Sequence, residues 1–151
     1  MIDLIHGDNI EIMKEMPDGS VDLTVTSPPY DNLRTYNGNN DQWGEQVWKD
    51  VLTDLFRVTT DGGVIVWIVA DATIEGSETG TSFKQALWAK ECGFRLHDTM
   101  IYQKSQSFTG SKYAYFNSFE YMFVFSKGRP KTFNAIKDRK NVRGGMTEST
   151  A

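Results

Sequence analysis

Residues 21–30 read VDLTVTSPPY, and this stretch carries the prediction of the fold. Apolar or β-branched residues alternate with polar ones through 21–26, which is typical of a β-strand that runs directly into a proline turn. Apolar residues at helical spacing predict a helix over 9–16, and a short strand is predicted over 2–6. A strand, a helix and a strand in so short a space indicate a βαβ unit and therefore a parallel sheet.

The same alternation of helices and strands continues downstream. A helix is predicted over 46–58, and the uninterrupted apolar run at 64–70 is typical of a strand that is covered on both faces. A further helix is predicted over 82–92, followed by strands over 94–103 and 118–126. The predicted fold class is α/β, with a Rossmann-like, mostly parallel sheet, helices on both faces and an incomplete domain.

Composition indicates a globular domain. Aromatic residues make up 13% of the 151 residues, which is enough to build a core and excludes a disordered chain. No apolar run approaches the length that spans a bilayer, and no export signal is present, so we expect no membrane contact and a cytoplasmic location. The single Cys92 excludes an internal disulfide framework, and His6 and His97 lack ligand partners, so no metal site is predicted.

The charge is distributed unevenly along the chain. Residues 1–126 carry a net charge of −9, whereas residues 127–151 carry +5. The sequence therefore predicts a catalytic body over 1–126 and a basic C-terminal arm or linker over 127–151. Such an arm is compatible with phosphate contacts, and a solvated, frayed tail is an equally good interpretation on charge alone.

The turn Ser27-Pro28-Pro29-Tyr30 carries the chemistry. Two consecutive prolines remove two backbone donors and fix two φ angles, so the turn presents carbonyl groups and the Ser27 hydroxyl as a rigid set of acceptors. In an open parallel sheet, ligands bind beyond the carboxyl ends of the strands, where this turn is predicted to lie. Such acceptors beside an aromatic ring suit a planar heterocycle with an exocyclic amine.

These four residues resemble the catalytic signature of the amino-group DNA methyltransferases that use S-adenosylmethionine, in which Asp, Asn or Ser precedes Pro-Pro and an aromatic residue. The lead-in at 4–8 and its spacing to 21–26 are similar to the permuted, beta-class-like subclass, in which the catalytic motif comes first. Segments 56–63, 92–94 and 120–128 also occupy the expected places. The resemblance covers about residues 3–130 and implies a Rossmann-like methyltransferase sheet.

The resemblance implies a base flipped out of double-stranded DNA and methylated directly by S-adenosylmethionine. Ser27 and Pro28 would hold the amine, Tyr30 would stack on the ring, and Pro29 completes the catalytic motif. Serine at position 27 favours cytosine-N4 over adenine-N6 methylation, which remains the alternative. Methylation of a protein glutamine is more remote, because that family prefers Asn at this position.

Asp8, Asn9 and Ile10 are the predicted cofactor-binding residues. The Asp8 carboxylate could accept from the adenine amine of the cofactor, with backbone groups of Asn9 and Ile10 close by. The other interpretation of Asp8 is a helix N-cap, and from chemistry alone the two are about equally supported.

Three further residues are predicted to contact the substrate. Phe119 is a candidate for the opposite wall of the base pocket, as is Tyr121, for which core packing is the preferred interpretation. Lys104 and Lys112 could contact DNA, although lysines are common in any surface loop.

The glycine-rich Phe-x-Gly-x-Gly turn that this family uses to hold the methionine part of the cofactor does not occur in the sequence. Residues 75–81 are predicted to be only a connection near the mouth of the site. The chain is therefore a fragment, or half of a site completed by a homodimer or a complementing chain, or a remnant without activity. The alternative from another class is a non-catalytic nucleic-acid-binding or subunit domain that retains the fold.

Overall fold

The computed structural model describes residues 2–30, 43–105, 115 and 117–135. Three helices and six strands follow one another within these ranges. In chain order they are α1 (Asn9–Glu15), β1 (Val21–Thr26), α2 (Glu45–Val58), β2 (Thr59–Val69), β3 (Thr73–Ile74), β4 (Ser77–Glu78), α3 (Thr81–Glu91), β5 (Arg95–Gln103) and β6 (Phe119–Ser126). The helices and long strands lie where the apolar periodicity predicts them.

Four of the strands form one mixed sheet in the order β1-β2-β6-β5. β1 and β2 are parallel, whereas β6 is antiparallel to both of its neighbours. β5 therefore runs in the same direction as β1 and β2, and only β6 is reversed. The predicted mostly parallel sheet is confirmed in strand direction, with one reversed strand inserted between two parallel ones.

The three helices form one layer on one face of this sheet. α2 contacts both α1 and α3, and the residues of β2 that face this layer, Ile65, Trp67 and Val69, are buried. The alternate residues of β2 are only partly covered. Since a sheet residue and its successor point to opposite faces, the core of the described part lies between the sheet and these helices.

Among the described residues, no helix covers the second face of the sheet. We call it the open face and define it by Leu23, Val25, Val66, Ile68 and Met100. Register places Val25 beside Val66, and it places Met122 of β6 between Ile68 and Met100. Leu23 and Val25 are 59% and 62% exposed. The predicted helices on both faces are therefore present on one face only among the described residues.

The predicted strand over 2–6 is wrong. These residues form no strand, and Ile2 and Leu4 are about nine-tenths exposed. A strand is stabilised by its neighbour, and within the described ranges β1 has β2 as its sheet partner while its other edge receives no pairing from 2–6. The pattern in the sequence could not reveal the missing partner.

Arg57 fastens α1 to α2. Its guanidinium donates to the Met13 carbonyl oxygen at 2.6 Å and to the Met16 carbonyl oxygen at 2.8 Å, and it pairs with Asp18 at 2.7 Å. The first two acceptors lie at the C-terminal end of α1, where carbonyl groups lack partners within the helix. This clamp holds α1, and with it Asp8, against the body of the domain.

The first residues of the predicted basic arm are bound to the body. The Lys127 ammonium donates to the carbonyl oxygens of Phe56 and Thr59 at the end of α2, at 2.9 and 3.0 Å. The Lys131 amide donates to the Gly62 carbonyl oxygen at 3.0 Å. Residues 136–151 lie outside the described residues, so the division into a body and an arm stays a prediction.

Candidate active site

The turn after β1 borders a cavity of about 460 Å³. Ser27, Pro28 and Pro29 form one side of it, at the carboxyl end of a parallel strand, and α1 and α2 form the other sides. The remaining lining residues are Asn9, Met13, Thr24, Thr26, Trp43, Val51, Leu55 and Trp67. The volume falls within the range of small-molecule sites, and the lining is apolar with a few polar groups, as is common for a ligand pocket.

A row of four polar side chains begins at Ser27 and leads away from the cavity. The Ser27 hydroxyl lies 2.6 Å from the Tyr30 hydroxyl, which donates to Glu120 Oε2 at 2.8 Å. Glu120 Oε1 lies 3.4 Å from the Lys104 ammonium. We call Ser27, Tyr30, Glu120 and Lys104 the polar row. It connects the turn after β1 to β6 and to the residue that follows β5.

Tyr30 is 8% exposed and belongs to the buried core cluster. Its ring therefore contributes to packing, while its hydroxyl joins Ser27 to Glu120. The structure shows the packing of Tyr30 and its hydrogen bonds in the polar row, and stacking of its ring on a base stays a prediction.

Trp43 lines the cavity, while its indole Nε1 is buried and has no hydrogen-bond partner among the described residues. Because this nitrogen is covered by protein atoms, it is not exposed to the cavity. The volume, the mostly apolar lining and the Ser27 hydroxyl together fit a polar organic molecule such as an adenosyl cofactor.

The structure confirms the N-cap interpretation of Asp8. Its Oδ1 accepts from the backbone N–H of Ile10 at 2.9 Å and of Glu11 at 3.3 Å, at the start of α1. Asn9 lines the cavity beside Ser27, whereas Ile10 packs partly buried against the core. Capping and cofactor contact are compatible, since both bonds go to one carboxylate oxygen. The cofactor contact of these three residues stays a prediction.

Phe119 and Tyr121 lie side by side at the start of β6. Their rings meet edge to face at 5.3 Å, and Tyr121 also stacks on Phe123 at 5.5 Å. Burial raises the pKa of Tyr121. These contacts confirm core packing for Tyr121. Phe119 is 36% exposed and borders a small depression with Glu120 and Glu78, and none of the three lines the cavity beside Ser27. A place for Phe119 in the base pocket, and for the connection at 75–81 near its mouth, stays a prediction.

The two lysines predicted to contact DNA have different outcomes. The Lys104 side chain is 22% exposed, and its ammonium is paired with Glu120. The structure thus brings Lys104 to the polar row, where its charge already has a partner. Lys112 lies outside the described residues.

Cys92 lies away from the cavity. Its sulfur is 3.6 Å from the Thr53 hydroxyl, at the end of α3. Burial raises the pKa of this thiol, which keeps it in the unreactive protonated form. Cys92 is thus unsuited to act as a nucleophile.

The comparisons with known proteins identify the family. The N6_N4_Mtase model, described as DNA methylase, matches residues 21–149, and the chain belongs to this family. The orphan methyltransferase M.BamHII of Bacillus amyloliquefaciens is 56% identical over 130 residues, which are 85% of this chain and 47% of that protein. The chain thus spans about half the length of this relative.

Solved structures show the fold. The PvuII DNA methyltransferase, described as cytosine-N4-specific, is similar with a TM-score of 0.69 at 18% identity, over 83% of this chain and 49% of that chain. The M1.HpyAVI complex with S-adenosylmethionine is similar with a TM-score of 0.65 at 20% identity, over 100% of this chain and 66% of that chain. The predicted Rossmann-like methyltransferase fold is therefore confirmed. In the described part of the chain, every helix is too short or too polar to span a bilayer.

Proposed function

We propose that this chain is the catalytic portion of a DNA methyltransferase that moves a methyl group from S-adenosylmethionine to an exocyclic base amine. The observation that carries the proposal is the Ser27-Pro28-Pro29 turn at the carboxyl end of β1, open to a cavity of ligand size. Membership of the DNA methylase family supports it. The substrate is double-stranded DNA with the target base turned out of the helix.

The residues of the turn account for the chemistry. An exocyclic amine is a poor nucleophile, because its lone pair is delocalised into the ring. Ser27 Oγ and the Pro28 carbonyl oxygen accept the N–H bonds of the amine, which favours a pyramidal nitrogen and stabilises the positive charge that develops on it. When bound, the cofactor supplies an electrophilic methyl group. The amine nitrogen would bond to this methyl group and then release one proton to bulk water, so no covalent bond to the protein is required.

Cofactor binding is assigned to Asp8, Asn9 and Ile10. Of these three residues, Asn9 lines the cavity, Asp8 caps α1 beside it, and the Arg57 clamp holds the C-terminal end of the same helix. The free lone pairs of the Asp8 carboxylate are suited to accept from an amine of the cofactor while Oδ1 caps the helix.

Two substitutions at position 8 separate capping from cofactor binding. Asp8→Ala removes both functions, whereas Asp8→Ser keeps a good N-cap and removes the carboxylate. We expect both variants to bind S-adenosylmethionine at least about tenfold more weakly, the equivalent of one hydrogen bond to a charged group. Calorimetric titration of the chain measures this, and thermal unfolding shows that only Asp8→Ala loses helix stability. Unchanged affinity in Asp8→Ser would contradict the assignment.

Cytosine-N4 is the favoured target, with adenine-N6 as the alternative. The support is serine rather than Asp or Asn at position 27, as the resemblance implies. The base that is modified identifies itself in the product, because N4-methylcytosine and N6-methyladenine separate after digestion of the DNA to nucleosides.

The open face supports a further part of the proposal, namely that the remaining half of the methyltransferase domain packs on it. The match covers 47% of M.BamHII, so that relative contains a further half that the match does not include. An apolar sheet face with Leu23 and Val25 about three-fifths exposed is typical of a surface that is buried in the complete fold. A homodimer through this face is the alternative occupant.

Val25→Asp tests this assignment. Because Val25 is 62% exposed, the charge is tolerated in the chain alone. We expect the wild-type chain to form a 1:1 complex with the remaining half of M.BamHII, and the variant to lose it, since an uncompensated carboxylate would be buried. Light scattering during size-exclusion chromatography distinguishes this complex from a homodimer. Equal binding by the wild type and the variant would contradict the assignment.

A further inference from the structure

The polar row has a definite direction of proton donation. The Tyr30 hydroxyl carries one proton, and a carboxylate is an acceptor only. Because Tyr30 donates this proton to Glu120 Oε2 at 2.8 Å, it has none left for Ser27. The proton in the 2.6 Å contact between Ser27 and Tyr30 therefore comes from the Ser27 hydroxyl.

We propose that Glu120 is a positioning residue that acts through Tyr30 to make Ser27 Oγ an acceptor toward the cavity. A free serine hydroxyl is both a donor and an acceptor, and a hydroxyl proton aimed at an amine would repel its N–H groups. In the polar row the Ser27 proton is turned toward Tyr30, and the oxygen lone pairs remain for the substrate. This inference rests on the proposed function, in which Ser27 accepts from the exocyclic amine.

Because of Lys104, the direction of proton donation along the polar row depends on whether residue 120 is Glu or Gln. Its ammonium is a donor 3.4 Å from Glu120 Oε1. In Glu120→Gln, the amide oxygen is drawn to Lys104, which places the amide NH₂ where Oε2 had accepted from Tyr30. Tyr30 then accepts from Gln and gives its own proton to Ser27. The Ser27 proton is released toward the cavity, so the variant reverses the row with almost no change in shape.

Removing the ammonium restores the direction. In Lys104→Met/Glu120→Gln, the amide is free to turn its oxygen toward Tyr30, and the original order of donors returns. Loss of the Lys104–Glu120 ion pair alone also predicts a smaller effect of Glu120→Gln when residue 104 is Met, since the partner charge is then already absent. The NMR signal of Tyr30 is therefore the measurement that separates the proposal from a structural role. Lys104→Met alone is the matched background for the double variant.

Two measurements test the proposal on the full chain. The first is the NMR signal of Tyr30 labelled with ¹³C at Cζ, which is assigned by its loss in Tyr30→Phe and moves downfield when the phenol donates to a carboxylate. We expect an upfield shift in Glu120→Gln and a downfield return in the double variant, in samples with equal thermal midpoints. The same signal in the wild type and in Glu120→Gln would overturn the proposal.

The second measurement is the single-turnover rate of methyl transfer to DNA. Relative to the wild type, Glu120→Gln is expected to lower this rate by about tenfold, the equivalent of one hydrogen bond at the reacting group. Relative to Lys104→Met, the double variant is expected to lose less than about twofold. Equal losses in both backgrounds would overturn the proposal. A wild-type chain that transfers no methyl group would count against the proposed function, while the NMR signals would still decide the direction of the row.

Discussion

Ser27→Ala is expected to reduce methyl transfer by about 10²–10³-fold, as for the loss of one preorganised group that stabilises charge in a transition state. The substitution removes the hydroxyl that accepts the amine N–H and leaves the Pro28 carbonyl oxygen in place. Transfer of a tritiated methyl group from S-adenosylmethionine to DNA measures the rate, under single-turnover conditions.

The thermal midpoint and the affinity for S-adenosylmethionine are the controls for Ser27→Ala. Ser27 contributes a small side chain at the edge of the cavity, so the thermal midpoint and the affinity for S-adenosylmethionine are expected to stay close to those of the wild type. A rate within about twofold of wild type would contradict a catalytic role, since a hydrogen bond made in the transition state is worth more than that. The catalytic motif likewise predicts that Tyr30→Ala abolishes methyl transfer with folding intact, but Tyr30 is 8% exposed and its truncation would open a core cavity.

Trp67→Ala is expected to lower the free energy of unfolding by about 3–5 kcal/mol, as for other large aromatic residues in a core. Trp67 is fully buried in β2, and its indole Nε1 donates to Gln85 Oε1 on α3 at 2.8 Å. The substitution leaves a cavity between the sheet and the helices and a buried amide without its donor.

Val66→Ala is the matched control for this prediction. Val66 precedes Trp67 on the same strand and belongs to the open face, so we expect it to cost about 1 kcal/mol or less in the chain alone. Urea unfolding followed by circular dichroism measures both variants. Equal losses would contradict the one-sided core.

The local parts of the fold could be predicted from the sequence. The alternation in 21–26 and the helical spacing in 46–58 are properties of neighbouring residues, and both elements lie where these patterns place them. The proline turn could also be predicted, because proline fixes its own φ angle and lacks a backbone N–H. Position at the carboxyl end of a strand then followed from the topology of parallel sheets.

The parts that depend on distant residues could not be predicted. Nothing in residues 119–126 shows that β6 is inserted in reverse between β2 and β5. The bond between Tyr30 and Glu120 joins residues 90 positions apart, so the sequence offers no signal for it. The strand proposed for 2–6 failed for the same reason, since strand pairing depends on a partner that a local pattern does not reveal.

The polar row and the open face bear on the conditions under which the chain is expected to transfer methyl groups. Ser27 and its supporting residues lie within the described part of the chain, and we propose that the remaining half of the domain packs on the open face. We therefore expect methyl transfer to be strongest when the remaining half of the domain is present.

The most direct test of the central claim is nucleoside analysis of DNA incubated with labelled S-adenosylmethionine and the chain, alone and together with the remaining half of M.BamHII. The proposed function predicts a labelled methyl group on an exocyclic amine, as N4-methylcytosine, and its loss when the chain carries Ser27→Ala. N6-methyladenine as the product would keep the reaction and correct the base. No methylated nucleoside under either condition, or a product unaffected by Ser27→Ala, would contradict the claim.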